Sequence, residues 1–160
     1  MQNKTHETVH TGSEEAVCGE GISWKRLPPV ALLAAFGAAV VNTLVYSAAS
    51  GLGLIPQDVL VPAPGGEQPL TMAPVVIGSV VGAIGGAGVF ALIGMLARRP
   101  VRKFRTIASV VLVLSLATPL TIPGAPLSMV LSLEAMHVAA WAATVGVLTT
   151  LVIRTEPADA

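Results

Sequence analysis

The sequence predicts an all-α membrane protein: a four-helix transmembrane bundle in up-down topology with N and C termini cytoplasmic. Three observations predict it. The 160 residues are 53% hydrophobic and 11% charged, with a mean hydropathy of +0.77, whereas soluble domains carry about 25% charged residues. Four apolar segments are long enough to cross a bilayer core of about 30 Å, which takes roughly 20 helical residues. All nine Lys and Arg fall on one side of a chain that crosses four times.

The chain opens on "MQNKTHETVHTGSEEAVCGEGISW". This stretch is polar and lacks the apolar core of a secretory signal, so residues 1–22 are expected as a largely disordered cytoplasmic tail. Cys18 lies in "EEAVCGEG" with no hydrophobic stretch before it, which argues against a lipoprotein cleavage site. As the one cysteine it excludes an intrachain disulfide and a CxxC pair, and it reads as a reduced thiol.

The four-span domain then occupies 23–154, followed by a short cytoplasmic tail, 155–160. Trp24 is placed as an interfacial anchor before the first span. That span is "PVALLAAFGAAVVNTLVYSAASGL", 29–52, and the second is "MAPVVIGSVVGAIGGAGVFALIGMLA", 72–97. The third, "FRTIASVVLVLSLATPLTI", 104–122, is the shortest, and the fourth is "MVLSLEAMHVAAWAATVGVLTTLVI", 129–153. No period of two dominates, so helices are favoured over a barrel. No internal repeat supports an inverted-repeat transporter.

Charge sets the direction. Lys4, Lys25 and Arg26 precede the first span; Arg98, Arg99, Arg102, Lys103 and Arg105 lie between or at the facing ends of the second and third; Arg154 follows the fourth. The loops 53–71 and 123–128 contain none. Basic residues stay on the cytoplasmic side, so both termini face inward. "RRPVRKFR" is thus a topology anchor, with attraction to anionic headgroups as its functional alternative. The Pro- and Gly-rich loop 53–71 reads as an outer surface loop or a partial lid.

Gly78, Gly82 and Gly86 recur at intervals of four along the second span and permit close helix approach, within the chain or across a homodimer seam. Pro74 falls in a first turn, where proline is tolerated, whereas Pro119 is expected to end or kink the third span.

Polar residues collect in the outer half. Glu134 and His137 lie roughly 8 and 12 Å below the outer end of the fourth span, and Asn42 and Tyr46 roughly 15 and 9 Å below that of the first. Thr118 and Thr121 flank Pro119. Glu134, His137 and Trp141 share one helical face by their i, i+3, i+7 spacing, and Asn42 and Tyr46 share another. An ionised glutamate facing lipid costs several kcal/mol, so both faces should point inward, with Glu134 against Asn42, Tyr46 or His137.

Three uses of this cluster compete: a network fixing helix register, a small-ligand or proton-coupled site open to the outside, and a metal site. The last is disfavoured. Di-iron bundles need two ExxH motifs, and zinc needs three good ligands while His6 and His10 lie on the opposite side. Bis-histidine haem needs a second intramembrane His, absent unless two chains contribute, and no cofactor is expected. A Ser-His-Glu arrangement with Ser128 or Ser132 lacks a nucleophile elbow, no phosphate-binding loop or nucleic-acid module is present, and Met129 and Met136 read as packing.

"VVN" with Asn42, "RRPVRKFR", "LSLATPL" and "AMHVAA" together resemble a family of small bacterial four-helix membrane proteins, a domain of unknown function, over about residues 26–153. The resemblance implies the fold and a multi-pass location in the bacterial plasma membrane. It maps the family's asparagine onto Asn42 and its histidine onto His137, and leaves out the tail before Trp24. The expected function is non-enzymatic: a small integral membrane protein whose buried polar cluster either specifies the bundle or binds a small ligand from the outer side. The bilayer is its partner, with a homo-oligomer as an option. The alternative is an oligomeric proton-linked transporter or channel subunit using Glu134, with a membrane enzyme third.

Overall fold

A computed structural model describes residues 22–63 and 65–152. The expected tails lie outside these residues, apart from Ile22. Four helices account for most of the described chain: α1 (Leu27–Gly51), α2 (Met72–Leu96), α3 (Pro100–Ser115) and α4 (Leu127–Leu151). A hairpin of β1 (Leu60–Ala63) and β2 (Gly66–Pro69) joins α1 to α2, and a 3-10 turn, Pro119–Thr121, follows α3. All four helical segments, the third counted through the 3-10 turn, are long and apolar enough to cross a membrane.

Local chemistry sets the helix ends. Pro28 sits in the first turn of α1, where its missing N–H leaves no bond unmade. The far end of α1 closes in a Schellman motif: Leu54 N–H bonds Ala49 O at 2.9 Å and Gly53 N–H bonds Ser50 O at 3.0 Å. Gly53 adopts φ 70, which glycine allows without a Cβ penalty. α3 starts at Pro100, four residues before the predicted Phe104, and absorbs Arg102 and Lys103 into its first turn. Proline pre-set for N1, followed by good helix-forming basic residues, explains the early start. Pro119 has no N–H for the Ser115 carbonyl, and α3 stops there; Thr118 N–H takes that carbonyl instead at 3.1 Å.

The packing puts small residues inside and large apolar ones outside. α1 buries Ala34, Ala35, Ala38, Asn42 and Ala49 while exposing Leu32, Leu33, Phe36 and Leu44. A water-soluble fold does the reverse; these surfaces suit lipid, and close helix approach supplies the packing energy. α1 makes its main contacts with α2 and α4, and α3 is the least buried of the four.

The core has three parts. At the end carrying the α2–α3 connection (the basic end), Phe90 and Phe104 meet edge to face at 4.9 Å, packed with Val30, Val145 and Leu148. Ala35, Ala38 and Ala83 form the narrow waist. At the opposite, hairpin end, Val59, Val61 and Leu70 lie over Met129 and Met136. Loop 53–71 is thus a structured cap rather than a plain surface loop. Val59 and Val61 bury at a period of two, and Gly65 (φ 100) and Gly66 (φ 123) make the reversal. The described ends also meet: Ser23 N–H bonds Val152 O at 2.9 Å.

Candidate functional site

Asn42 is 6% exposed in α1 and donates through Nδ2 to Ser79 Oγ on α2 at 2.8 Å. The Ser79 hydroxyl donates back along its own helix to Val75 O at 2.7 Å. One turn beyond Asn42, Tyr46 donates to Leu70 O at 3.0 Å, tying α1 to the foot of the hairpin. These two polar residues of α1 therefore each hold a neighbouring segment in place. The i, i+4 spacing predicted that they share a face; their partners were not evident from sequence.

Ser79 escaped the sequence reading. Its signal was the run Ser79-xxx-Ala83-xxx-Ala87, the buried face of α2. The glycine stripe is one position off that face, hence rotated by about 100°. Gly78 and Gly82 are exposed, with no described residue within 4 Å of where a Cβ would stand. Of the three only Gly86 lies against a neighbour among the described residues: a Cβ there would stand 3.2 Å from Thr144 Cγ2. At Gly94, near the basic end, a Cβ would meet the tip of the Ile22 side chain, which would have to shift, and would stand in ordinary contact with Trp24.

On α4, Glu134, His137 and Trp141 are each half-buried. Their stripe continues at helical spacing through Val145, Leu148 and Val152, which are core. Trp141 packs against that core, and its buried indole N–H has no partner among the described residues. His137 Nδ1 lies 2.7 Å from Leu133 O, one turn back. A carbonyl only accepts, so Nδ1 carries a proton in this contact, and among the described residues Nε2 makes no hydrogen bond.

The network expected around Glu134 is thus divided. Among the described residues Glu134 makes no hydrogen bond, to Asn42, Tyr46, His137 or any other group. Thr118 is exposed; its carbonyl accepts from the Thr121 hydroxyl at 2.8 Å, but among the described residues its side chain joins no polar contact. α3 ends at Ser115, so Thr118 lies in the turn beyond it, at the start of the 3-10 turn. Among the described residues no three His, Cys, Asp or Glu side chains form a metal-holding group; His6, His10 and Cys18 lie outside them.

A family model matches residues 23–154, nearly the whole described chain. The chain belongs to the DUF6069 family, a family of unknown function. Comparison with curated proteins and with solved structures gives no match. The DUF6069 match begins next to Trp24 and ends at the last basic residue, so it takes in all four apolar helices and the hairpin. Within this DUF6069 chain, Asn42 and His137 have different roles: the first bonds another helix, the second its own backbone.

Proposed function

We propose that this is a non-enzymatic integral membrane protein that binds a small ligand at Glu134 and His137, from the side bearing the hairpin. The observation that carries the reading is the contrast between two polar pairs. Asn42 and Tyr46 are engaged in fixing neighbouring segments. Glu134 and His137 lie on the stripe that becomes core deeper in α4, yet neither bonds another helix among the described residues. An ionisable residue kept in a membrane span without an interhelical partner marks a binding or transfer site.

In this reading the four helices form an up-down bundle in the plasma membrane of a bacterium, the Lys- and Arg-bearing end and both termini cytoplasmic. The placement of all nine basic residues supports that orientation. The working partners are lipid and a small molecule, without a cofactor or nucleic acid.

Melting of the wild type, Glu134→Gln and Asn42→Ala in nanodiscs tests the proposal. Asn42→Ala should melt several degrees lower, since it leaves the Ser79 contact unmade. Glu134→Gln should melt within about a degree of wild type, and any ligand that raises the wild-type midpoint should lose its effect. If Glu134→Gln destabilises as much as Asn42→Ala, the glutamate is structural and the proposal falls.

A second reading has one specific support. His137 Nε2, without a hydrogen bond among the described residues, and the Glu134 carboxyl, three residues away, put two ionisable side chains on one face. An oligomeric proton-linked transporter or channel subunit would use them. It requires a proton flux in proteoliposomes that Glu134→Gln abolishes.

A further inference from the structure

The least buried helix, α3, carries a shallow, open groove of about 530 Å3 on its exposed face, formed entirely by its own residues Arg105, Thr106, Ser109, Val110, Val113 and Leu114. Its lining is graded along the axis. Arg105, Ser109 and Val113 stand at intervals of four, one turn apart on a single face. At 1.5 Å per residue, Arg105 lies about 7.5 Å into α3 and Val113 about 20 Å. A charge, then a hydroxyl, then an apolar wall follow one another from the basic end toward the middle of the span.

Arg105 is exposed yet oriented. Its Nη2 donates to Thr149 Oγ1 on α4 at 3.1 Å. Thr149 is 1% exposed and donates its own proton to Val145 O at 2.7 Å, so its oxygen is held as an acceptor for the guanidinium. A guanidinium has five N–H donors, and among the described residues Thr149 takes one. Ser109, half-buried, makes no side-chain hydrogen bond among the described residues. The Thr106 hydroxyl is already spent on Arg102 O at 3.1 Å. Arg102 and Lys103, both exposed in the preceding turn, add positive charge at the same end.

We propose that this groove is a binding site for one anionic phospholipid of the leaflet at the basic end. Its phosphate lies on the Arg105 guanidinium, whose planar fork suits two phosphate oxygens. The Ser109 hydroxyl donates to an ester oxygen, and an acyl chain runs along Val110, Val113 and Leu114. The order of the lining matches the order of groups in the lipid, and the surrounding charge selects an anionic over a zwitterionic headgroup. Thr149 acts as a positioning residue for the guanidinium.

Native mass spectrometry of the full chain, titrated with dioleoyl phosphatidylglycerol and with dioleoyl phosphatidylcholine, tests this. The wild type should bind one phosphatidylglycerol about tenfold more tightly than phosphatidylcholine, and Arg105→Gln should lose about tenfold in phosphatidylglycerol affinity. Arg99→Gln removes the same charge outside the groove and should change it less than about twofold. Val113→Trp, at an exposed position with room for the ring, should block the groove and weaken both lipids. Equal losses in Arg99→Gln and Arg105→Gln would reduce the effect to diffuse charge. An unaffected Arg105→Gln, equal affinity for the two lipids, or displacement by millimolar inorganic phosphate would each overturn the proposal.

Discussion

Asn42 is the clearest case of a single polar residue placed by its surroundings. Its amide nitrogen meets Ser79 across the α1–α2 contact, while Oδ1 is buried without a partner among the described residues. The donor assignment is fixed by chemistry rather than by shape: the Ser79 proton already goes to Val75 O, so Ser79 must accept from Asn42. Asn42→Ala, Ser79→Ala and the double variant should therefore form a coupled cycle. Interhelical polar pairs in membranes are coupled by roughly 0.6 kcal/mol on average, rarely above about 1.7. Equilibrium unfolding in bicelles should give a value in that range, with the double variant less destabilised than the two singles added. Simple additivity would mean that the bond does not contribute to stability. His137 contrasts with Asn42, because its Nδ1–H is satisfied one turn back on its own helix and contributes nothing to helix register.

At the scale of the element, α2 separates two kinds of small residue. Ser79, Ala83 and Ala87 form the face that meets α1, and Gly78 and Gly82 lie beside it on the exposed side. Alanine is favoured over glycine in a helix by about 0.8–1.0 kcal/mol. Gly82→Ala meets no described residue within 4 Å and should gain up to that amount, whereas at Gly86 the Thr144 methyl at 3.2 Å offsets the gain. Thermal unfolding should rank Gly82→Ala above Gly86→Ala. The reverse order would place the α2–α4 contact elsewhere. The hairpin is the other informative element. Its strands are four residues each, paired from Leu60↔Pro69 to Ala63↔Gly66, too short to stand alone. They persist because Val59, Val61 and Leu70 are buried over Met129 and Met136.

For the whole molecule, the two ends differ in both charge and closure. The hairpin covers one end, and Tyr46 and Ser128 fasten it through Leu70 O and Leu54 O at 3.0 and 3.3 Å. The other end gathers Arg98, Arg99, Arg102, Lys103 and Arg105, with Ser23 bonded to Val152. If the basic end is cytoplasmic, an impermeant maleimide applied to intact cells should label Gln68→Cys and not Arg99→Cys, both in a Cys18→Ser background. Labelling of Arg99→Cys alone would invert the orientation. Leu32, Phe36, Val113 and Leu114 are exposed along the apolar helices, where a protein in water would bury such side chains and a bilayer would cover them.

Helix number and type were legible in sequence because bilayer thickness and backbone satisfaction leave few solutions for runs of 20 apolar residues. α2 begins at the predicted Met72, and α1 and α4 begin within two residues of their predicted starts. The facing of Asn42 and Tyr46 also followed, since a period of 3.6 fixes which residues share a side. Rotation about the helix axis did not follow. Glycine, alanine and serine all allow close approach, so local chemistry could not choose between Gly78–Gly82–Gly86 and Ser79–Ala83–Ala87; contact with α1 chose. The hairpin was hidden because its strands draw their stability from Met129 and Met136, some seventy residues later in the chain. For the same reason the sequence could gather Glu134, Thr118 and Asn42 in the outer half, but only the packing of four helices decided which of them would meet.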